Sequence, residues 1–156
     1  MSAVLTAPAT TGVSHVHVEI KYIPAPDLSL PALAVQVTRL VDSYMLWAGT
    51  TDVSADDVQN VTLQGHLAKD WACAMPARDL YPSIPLAATS LFRSSSSDVA
   101  LSMAQRLARR FKKQIFLSID MPQGFDSMGQ GSRLVFAVEK ALVETLREME
   151  QPQHGA

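Results

Sequence analysis

Cysteine is nearly absent: Cys73 stands alone in 156 residues. One thiol excludes an internal disulfide framework and a multi-cysteine zinc site, and it fits a reducing compartment. Charge is sparse too. Asp, Glu, Lys and Arg make up 18% of the chain against 47% hydrophobic residues. That balance excludes a disordered chain and implies surface meant to be covered by a partner. Thirteen Lys+Arg against fifteen Asp+Glu leave no general attraction to nucleic acid or to an anionic membrane. No apolar run approaches the ~20 residues that span a bilayer. The opening MSAVLTAPATTG has neither the basic n-region nor the apolar stretch of a signal peptide. A cytoplasmic or nuclear protein is expected, with no membrane and no nucleic acid among its partners.

At this length one domain is expected, with a self-standing core. Residues 1–12 read as a disordered N-terminal arm, 13–150 as a single domain, and 151–156 as a flexible tail. His15 to Tyr22 alternates: Val16, Val18, Ile20 and Tyr22 share one face, His15, His17, Glu19 and Lys21 the other, which predicts a half-buried strand. Pro24, Pro26 and Pro31 break regular structure. A second strand is expected over Ala34 to Val41, and Asp42-Ser43 supplies turn chemistry for a hairpin return through Tyr44 to Gly49. That third strand is apolar on both faces, with Tyr44, Leu46 and Ala48 on one and Met45 and Trp47 on the other. Such a strand is buried on both sides, either within one chain or with helices on one side and a partner subunit on the other.

Residues 51–70, polar and carrying Asp52, Asp56 and Asp57, read as a surface loop insertion. Trp71 to Met75 and Leu86 to Phe92 read as short strands, and Ser94 to Ser97 as a solvated linker ending in a helix cap. A helix over Asp98 to Phe111, capped by Ser97, buries Ala100, Met103, Ala104, Leu107, Ala108 and Phe111 at i, i+3, i+4, i+7 spacing. Ile115 to Asp120 is a strand, Gly124 to Gly131 a glycine-rich loop, and Ser132 to Glu150 a final helix. The stripe of that helix is Leu134, Val135, Val138, Leu142, Leu146 and Met149. The fold class is α+β: a mainly antiparallel sheet of five to six strands with two helices on one face, order β-β-β-β(β)-α-β-α.

Chemistry is harder to find. His15 and His17 have a metal-compatible spacing, but only His66, Cys73 or carboxylates could complete a site, and alternating His is more often a polar strand face. Gly129-Gln130-Gly131-Ser132 lacks the third glycine of a dinucleotide fingerprint and the Gly-Lys-Ser/Thr of a P-loop; a helix entry explains it. No Gly-x-Ser-x-Gly surrounds any serine, and Cys73 has no basic neighbour in sequence. No catalytic residue, cofactor site or metal site is expected. Arg106, Arg109, Arg110, Lys112 and Lys113 crowd the end of the first long helix. Helix-dipole compensation explains one or two of them; the rest suit an acidic protein surface.

VTRLVDSYMLWAGT (Val37 to Thr50) resembles the second and third strands of the proteasome assembly chaperone 4 family. SIPLAATSLF (Ser83 to Phe92), followed by AQRLARRFKKQIFLS (Ala104 to Ser118), continues the resemblance in order and spacing, over roughly Ser14 to Met149. Residues 51–70 and Ala77 to Tyr81 look longer than the family's connections. The resemblance implies a non-enzymatic chaperone that pairs with a proteasome assembly chaperone 3 homologue as a heterodimer, sheet against sheet. It also implies that the pair guides proteasome α-type subunits into the α-ring of the 20S core particle. Tyr44, Met45, Leu46 and Trp47 would then meet the partner subunit, and Arg106, Arg109, Arg110, Lys112 and Lys113 an α-type subunit. A dimeric α+β scaffold or trafficking adaptor unrelated to the proteasome is the alternative reading; an RNA-binding module or a ligand-dependent enzyme are rivals from other classes.

Overall fold

The computed structural model describes residues 16–66, 68–76, 86–93, 98–122, 124–127 and 129–151. The expected arm at 1–12, His15, the serine tract 94–97 with its proposed cap Ser97, and residues 152–156 lie outside them. Six strands form one mixed sheet: β1 (His17–Ile23), β2 (Ala32–Leu40), β3 (Ser43–Thr51), β4 (Asp70–Ala74), β5 (Ala88–Arg93) and β6 (Gln114–Asp120), in the order β1-β2-β3-β6-β4-β5. Every pairing is antiparallel except β3 with β6. The long helix α2 (Val99–Phe111) precedes β6 and returns the chain in parallel beside β3.

Local chemistry accounts for the joints. The β2–β3 hairpin turns at Val41-Asp42, where Asp42 adopts φ 52, a left-handed conformation that Asp tolerates better than most side chains. Helix α2 starts one residue later than the sequence suggests, with Asp98 at the N-cap and no side-chain cap bond. Its first turn is served from elsewhere: the Ala100 amide donates to Asp70 Oδ2 of β4 at 3.2 Å. The helix closes at Lys112, whose amide donates to the Ala108 carbonyl at 3.0 Å.

Helices α2 and α4 (Gly131–Glu150) cover one face of the sheet. All six residues of the expected α2 stripe are buried there, as are Leu134, Val138, Leu142 and Leu146 of α4. They meet Leu33, Val35 and Val37 of β2, Tyr44, Leu46 and Ala48 of β3, Ala72 and Ala74 of β4, and Ile115, Leu117 and Ile119 of β6. Each large side chain removed from water here contributes roughly 1.5–3 kcal/mol, so this layer carries the fold.

Three readings need revision. The alternation of β1 is real, but its polar side faces the helix layer, where Lys21 pairs with Glu148 of α4. Its apolar side joins the opposite face of the sheet, because β1 is an edge strand that α4 passes only at its rim. The glycine-rich loop contains one helical turn, α3 (Gly124–Ser127). Residues 51–70 carry more than a surface loop: a 3-10 turn at Ala55–Asn60 runs into α1 (Val61–Gln64), and Val58 and Val61 pack back onto the sheet.

Candidate functional site

Strand pairing arranges the sheet face opposite α2 and α4 as lanes of direct cross-strand neighbours. One lane runs Val18, Thr38, Met45, Phe116, Cys73, Thr89; the next runs Ile20, Gln36, Trp47, Ser118, Trp71, Phe92; a third begins Tyr22, Ala34, Gly49, Asp120. Residues 53–65 form a strap over the second and third lanes. Val58 and Val61 pack on Ala34 and Trp47, with Ile20, Tyr22 and Val53 around them. Trp47 is thereby 6% exposed.

Two features hold the strap down. Cβ atoms on Gly49 and Gly65 would fall 2.6 and 2.4 Å from Trp47 Cζ2, so the indole fits between those residues only because both are glycine. At the C-terminal end of β6, Asp120 accepts from the His66 amide at 2.8 Å and from Lys69 Nζ at 3.0 Å. Asp120 and Lys69 are mostly buried, so this clasp is less screened than a surface pair.

The first lane stays open. Val18 is 53% exposed, Thr89 is exposed, and Thr38, Met45, Phe116 and Cys73 are half-buried. No residue of this lane is charged. Beside it, Trp71 carries an indole Nε1–H that is buried with no acceptor among the described residues.

Of the four residues expected at a partner interface, the structure leaves only Met45 available. Tyr44 and Leu46 are fully buried beneath the helices, since a strand sends alternate side chains to opposite faces. Trp47 is on the open face but covered by the chain's own strap. Conversely, Phe116, Cys73 and Val18 share the lane with Met45. They were missed because strand register, which local sequence does not reveal, aligns them.

The basic cluster is also divided. Arg106 donates through Nε and an Nη to both carboxylate oxygens of Glu139 on α4, at 2.6 and 2.8 Å, and those hydrogen bonds raise its pKa. Lys113 donates to Glu150 Oε1 at 2.9 Å and to the Tyr44 hydroxyl at 3.2 Å, and lies 4.9 Å from the Tyr44 ring centre. Burial works against its charge, but these bonds outweigh burial, so its pKa is raised. Two of the five cations therefore tie α2 and β6 to α4. Arg109 and Arg110 are exposed, without a side-chain ion pair among the described residues, and Lys112 is exposed beside them.

No group of three metal-ligating side chains exists among the described residues. His17 is exposed on β1, and His66 enters a hydrogen bond through its backbone amide. Gln114 Nε2 donates to Cys73 Sγ at 3.4 Å. Gly131 of the supposed phosphate cradle is buried in the first turn of α4. Among the described residues, no helix is long and apolar enough to cross a membrane.

Residues 32–121, from the start of β2 to just past β6, match the family profile described as Proteasome assembly chaperone 4. The human protein described as proteasome assembly chaperone 4 is 40% identical over 91 residues, covering 58% of this chain and 59% of its own length. The mouse protein of the same description is 39% identical over 85 residues, 54% and 55% of the two chains. The matched region thus spans somewhat more than half the length of each relative. A chain from the crystal structure of a novel chaperone complex for yeast 20S proteasome assembly shares the fold, with TM-score 0.56, 16% identity, and coverage of 86% of this chain and 98% of its own. The profile match, running from β2 through β6 and covering more than half of the chain, places this protein in the proteasome assembly chaperone 4 family.

Proposed function

We propose that this protein is a non-enzymatic chaperone of 20S proteasome core-particle assembly, working as a heterodimer with a proteasome assembly chaperone 3 homologue in the cytoplasm and nucleus. The observation that carries the reading is the uncharged lane on the open sheet face, in a member of this family. A half-exposed row of Val18, Met45, Phe116 and Cys73 crossing the sheet is the surface a second sheet would cover. A stable pair would bury at least ~1,200 Å² in total.

The heterodimer would promote α-ring formation by binding an assembly intermediate better than the finished particle, which shifts the population of intermediates. Arg109, Arg110 and Lys112, at the end of a helix on the other face of the sheet, are the residues proposed to meet an acidic surface of an α-type subunit. Rim cations of this kind act mainly on association rate.

Affinity purification of the tagged full chain, with identification of co-purifying proteins, tests the reading. A chaperone 3 homologue and α-type subunits, without the β-type subunits of the mature particle, are expected. Recovery of a trafficking or scaffold partner with no proteasome subunit would establish the adaptor reading instead.

A further inference from the structure

The outward side of α4 lies across the sheet from the open lane, so a subunit seated on the lane leaves it free. We infer that this side carries a docking track for an α-type subunit: a groove that takes a bulky apolar side chain, followed along the helix by cations that take carboxylates. The inference rests on the proteasome-assembly reading above and specifies the surface and the chemistry of that contact.

The groove, about 360 Å³, lies between the loop after β1 and the first turns of α4, lined by Pro26, Leu30, Phe136 and Ala137 and bordered by Lys140. Arg133 fixes its walls. One Nη donates to Ser29 Oγ at 3.1 Å and the other to Asp27 Oδ2 at 2.8 Å, and Asp27 also accepts from the Ser29 amide at 2.8 Å. The loop is therefore tied to the helix before any partner arrives, which lowers the ordering cost of binding. Phe136 is 70% exposed beside the groove, and Leu28 of the same loop is fully exposed. A lone exposed apolar side chain is ordinary, but a phenyl ring at the edge of a ready-made apolar groove suits a binding anchor.

Charge fixes the kind of partner. Arg133, Phe136, Lys140, Glu144 and Arg147 follow at i, i+3, i+7, i+11 and i+14, one exposed stripe of α4. Three of them are cations and one is acidic, in a chain of formal net charge −2. Arg133 is committed to the loop, but Lys140 comes only within 3.9 Å of Glu144, and Arg147 has no side-chain ion pair among the described residues. The helix dipole accounts for Arg147 in the last turn, not for Lys140 in the middle of the helix. Measured from Phe136 along the axis, Lys140 is about 6 Å away and Arg147 about 16 Å. The Arg106–Glu139 and Lys113–Glu150 pairs set α2 and α4 side by side and parallel, so the stripe runs toward Arg109 and Arg110. A segment with an apolar side chain in the groove and carboxylates at those distances meets cations along its whole path.

Other occupants fit less well. A second copy brings the same stripe and sets cation against cation. Nucleic acid would carry phosphates past Asp27 and Glu144 and leave the apolar groove unfilled.

The test uses the full chain paired with the chaperone 3 homologue of the same organism, and that organism's α-type subunits purified singly. Phe136→Ala and Lys140→Glu/Arg147→Glu should melt close to wild type, because all three side chains are exposed. For the α-type subunit that wild type captures, Phe136→Ala should speed dissociation about tenfold or more, as loss of a seated anchor does. The charge reversal should instead slow association several-fold at low salt, the difference closing as salt rises. With p-benzoylphenylalanine in place of Phe136, ultraviolet light should join the chain to an α-type segment that carries a bulky apolar residue and at least two Asp or Glu. Unchanged kinetics in either folded variant overturns the inference and leaves the proteasome reading standing. So does a crosslink to the chaperone 3 homologue, to a second copy or to a segment without carboxylates. Wild-type pairs that capture no α-type subunit overturn both.

Discussion

Gly65→Ala isolates the fit that holds the strap. Gly65 has φ −78 and ψ 163, ordinary extended backbone, so alanine meets no conformational penalty and the effect is steric. The new Cβ would sit 2.4 Å from Trp47 Cζ2 and 3.1 Å from Cε2. The ring cannot swing toward β3, because Gly49 already gives it no spare room on that side. Two responses are open. Lifting the strap would expose Trp47, Val58 and Val61, all now nearly buried, at a cost of about 5 kcal/mol or more. A local shift of ring and backbone costs roughly 1–3 kcal/mol, as for other overpacked sites. The shift is cheaper, so it decides the outcome: urea denaturation should show a loss of about 1–3 kcal/mol with an unchanged m-value. In a Trp71→Phe background, emission of the remaining Trp47 should move slightly red and not to the wavelength of an exposed indole. Trp47→Phe, which shortens the reach of the ring, should relieve most of the penalty, giving a coupling of about 1 kcal/mol in a double-mutant cycle. A Gly65→Ala protein as stable as wild type, with identical emission and no coupling, would refute the reasoning.

Burial is the largest influence on Asp70 and raises its pKa, against the Ala100 amide and Arg93, which lower it. A raised carboxyl pKa means the folded state holds the proton more tightly. Ionised Asp70 therefore weakens the fold near neutrality, and that loss is recovered as pH falls through the folded value. Asp70→Asn, which keeps an acceptor for the Ala100 amide, should alter stability at pH 7 by less than about 1 kcal/mol. Wild type should gain on it between pH 7 and pH 4 in urea titrations; the opposite trend would contradict the burial argument. Arg109→Glu/Arg110→Glu should leave melting and heterodimer formation intact while slowing α-type subunit capture at low salt, measured by biolayer interferometry. Loss of the heterodimer instead would put the chaperone partner on the helix face. His15→Gln/His17→Gln should change stability by about 0.5 kcal/mol or less; stoichiometric metal in wild type, lost in this variant, would contradict the polar-face reading.

Periodicity made the helix layer legible. The α2 stripe, six residues at helical spacing, is buried residue for residue, and YMLWAG announced a strand covered on both sides. What covers each side was beyond it. Val58 and Val61 are two apolar residues three apart in a polar segment, too few for a repeat, and their partner Trp47 lies more than ten residues back along the chain. The orientation of β1 failed for a related reason. Alternation separates two faces but does not say which one a helix will take, and here the helices took the polar one at the rim. Register is the largest missing quantity. Met45, Phe116 and Cys73 become neighbours only through β3–β6 and β6–β4 pairing, which depends on side chains distant in sequence.

The basic cluster shows how the same gap misleads a functional reading. In sequence, five cations within eight positions are equivalent; in the fold, their angular positions on α2 and beyond it sort them. Arg106 faces α4 and meets Glu139, 33 residues away, while Lys113 leaves the helix and meets Glu150, 37 residues away. These pairs join the two helices and the start of β6, so they serve the layer that carries the core. Arg109 and Arg110 occupy consecutive positions in the last turn, the site where one or two cations suffice for the dipole. The excess charge that argued for an acidic partner is thus smaller than the sequence count suggests. Any docking of α-type subunits through this cluster must rest on Arg109, Arg110 and Lys112. Reversing Lys113 would break its bonds to Glu150 and to the Tyr44 hydroxyl before it reported on a partner.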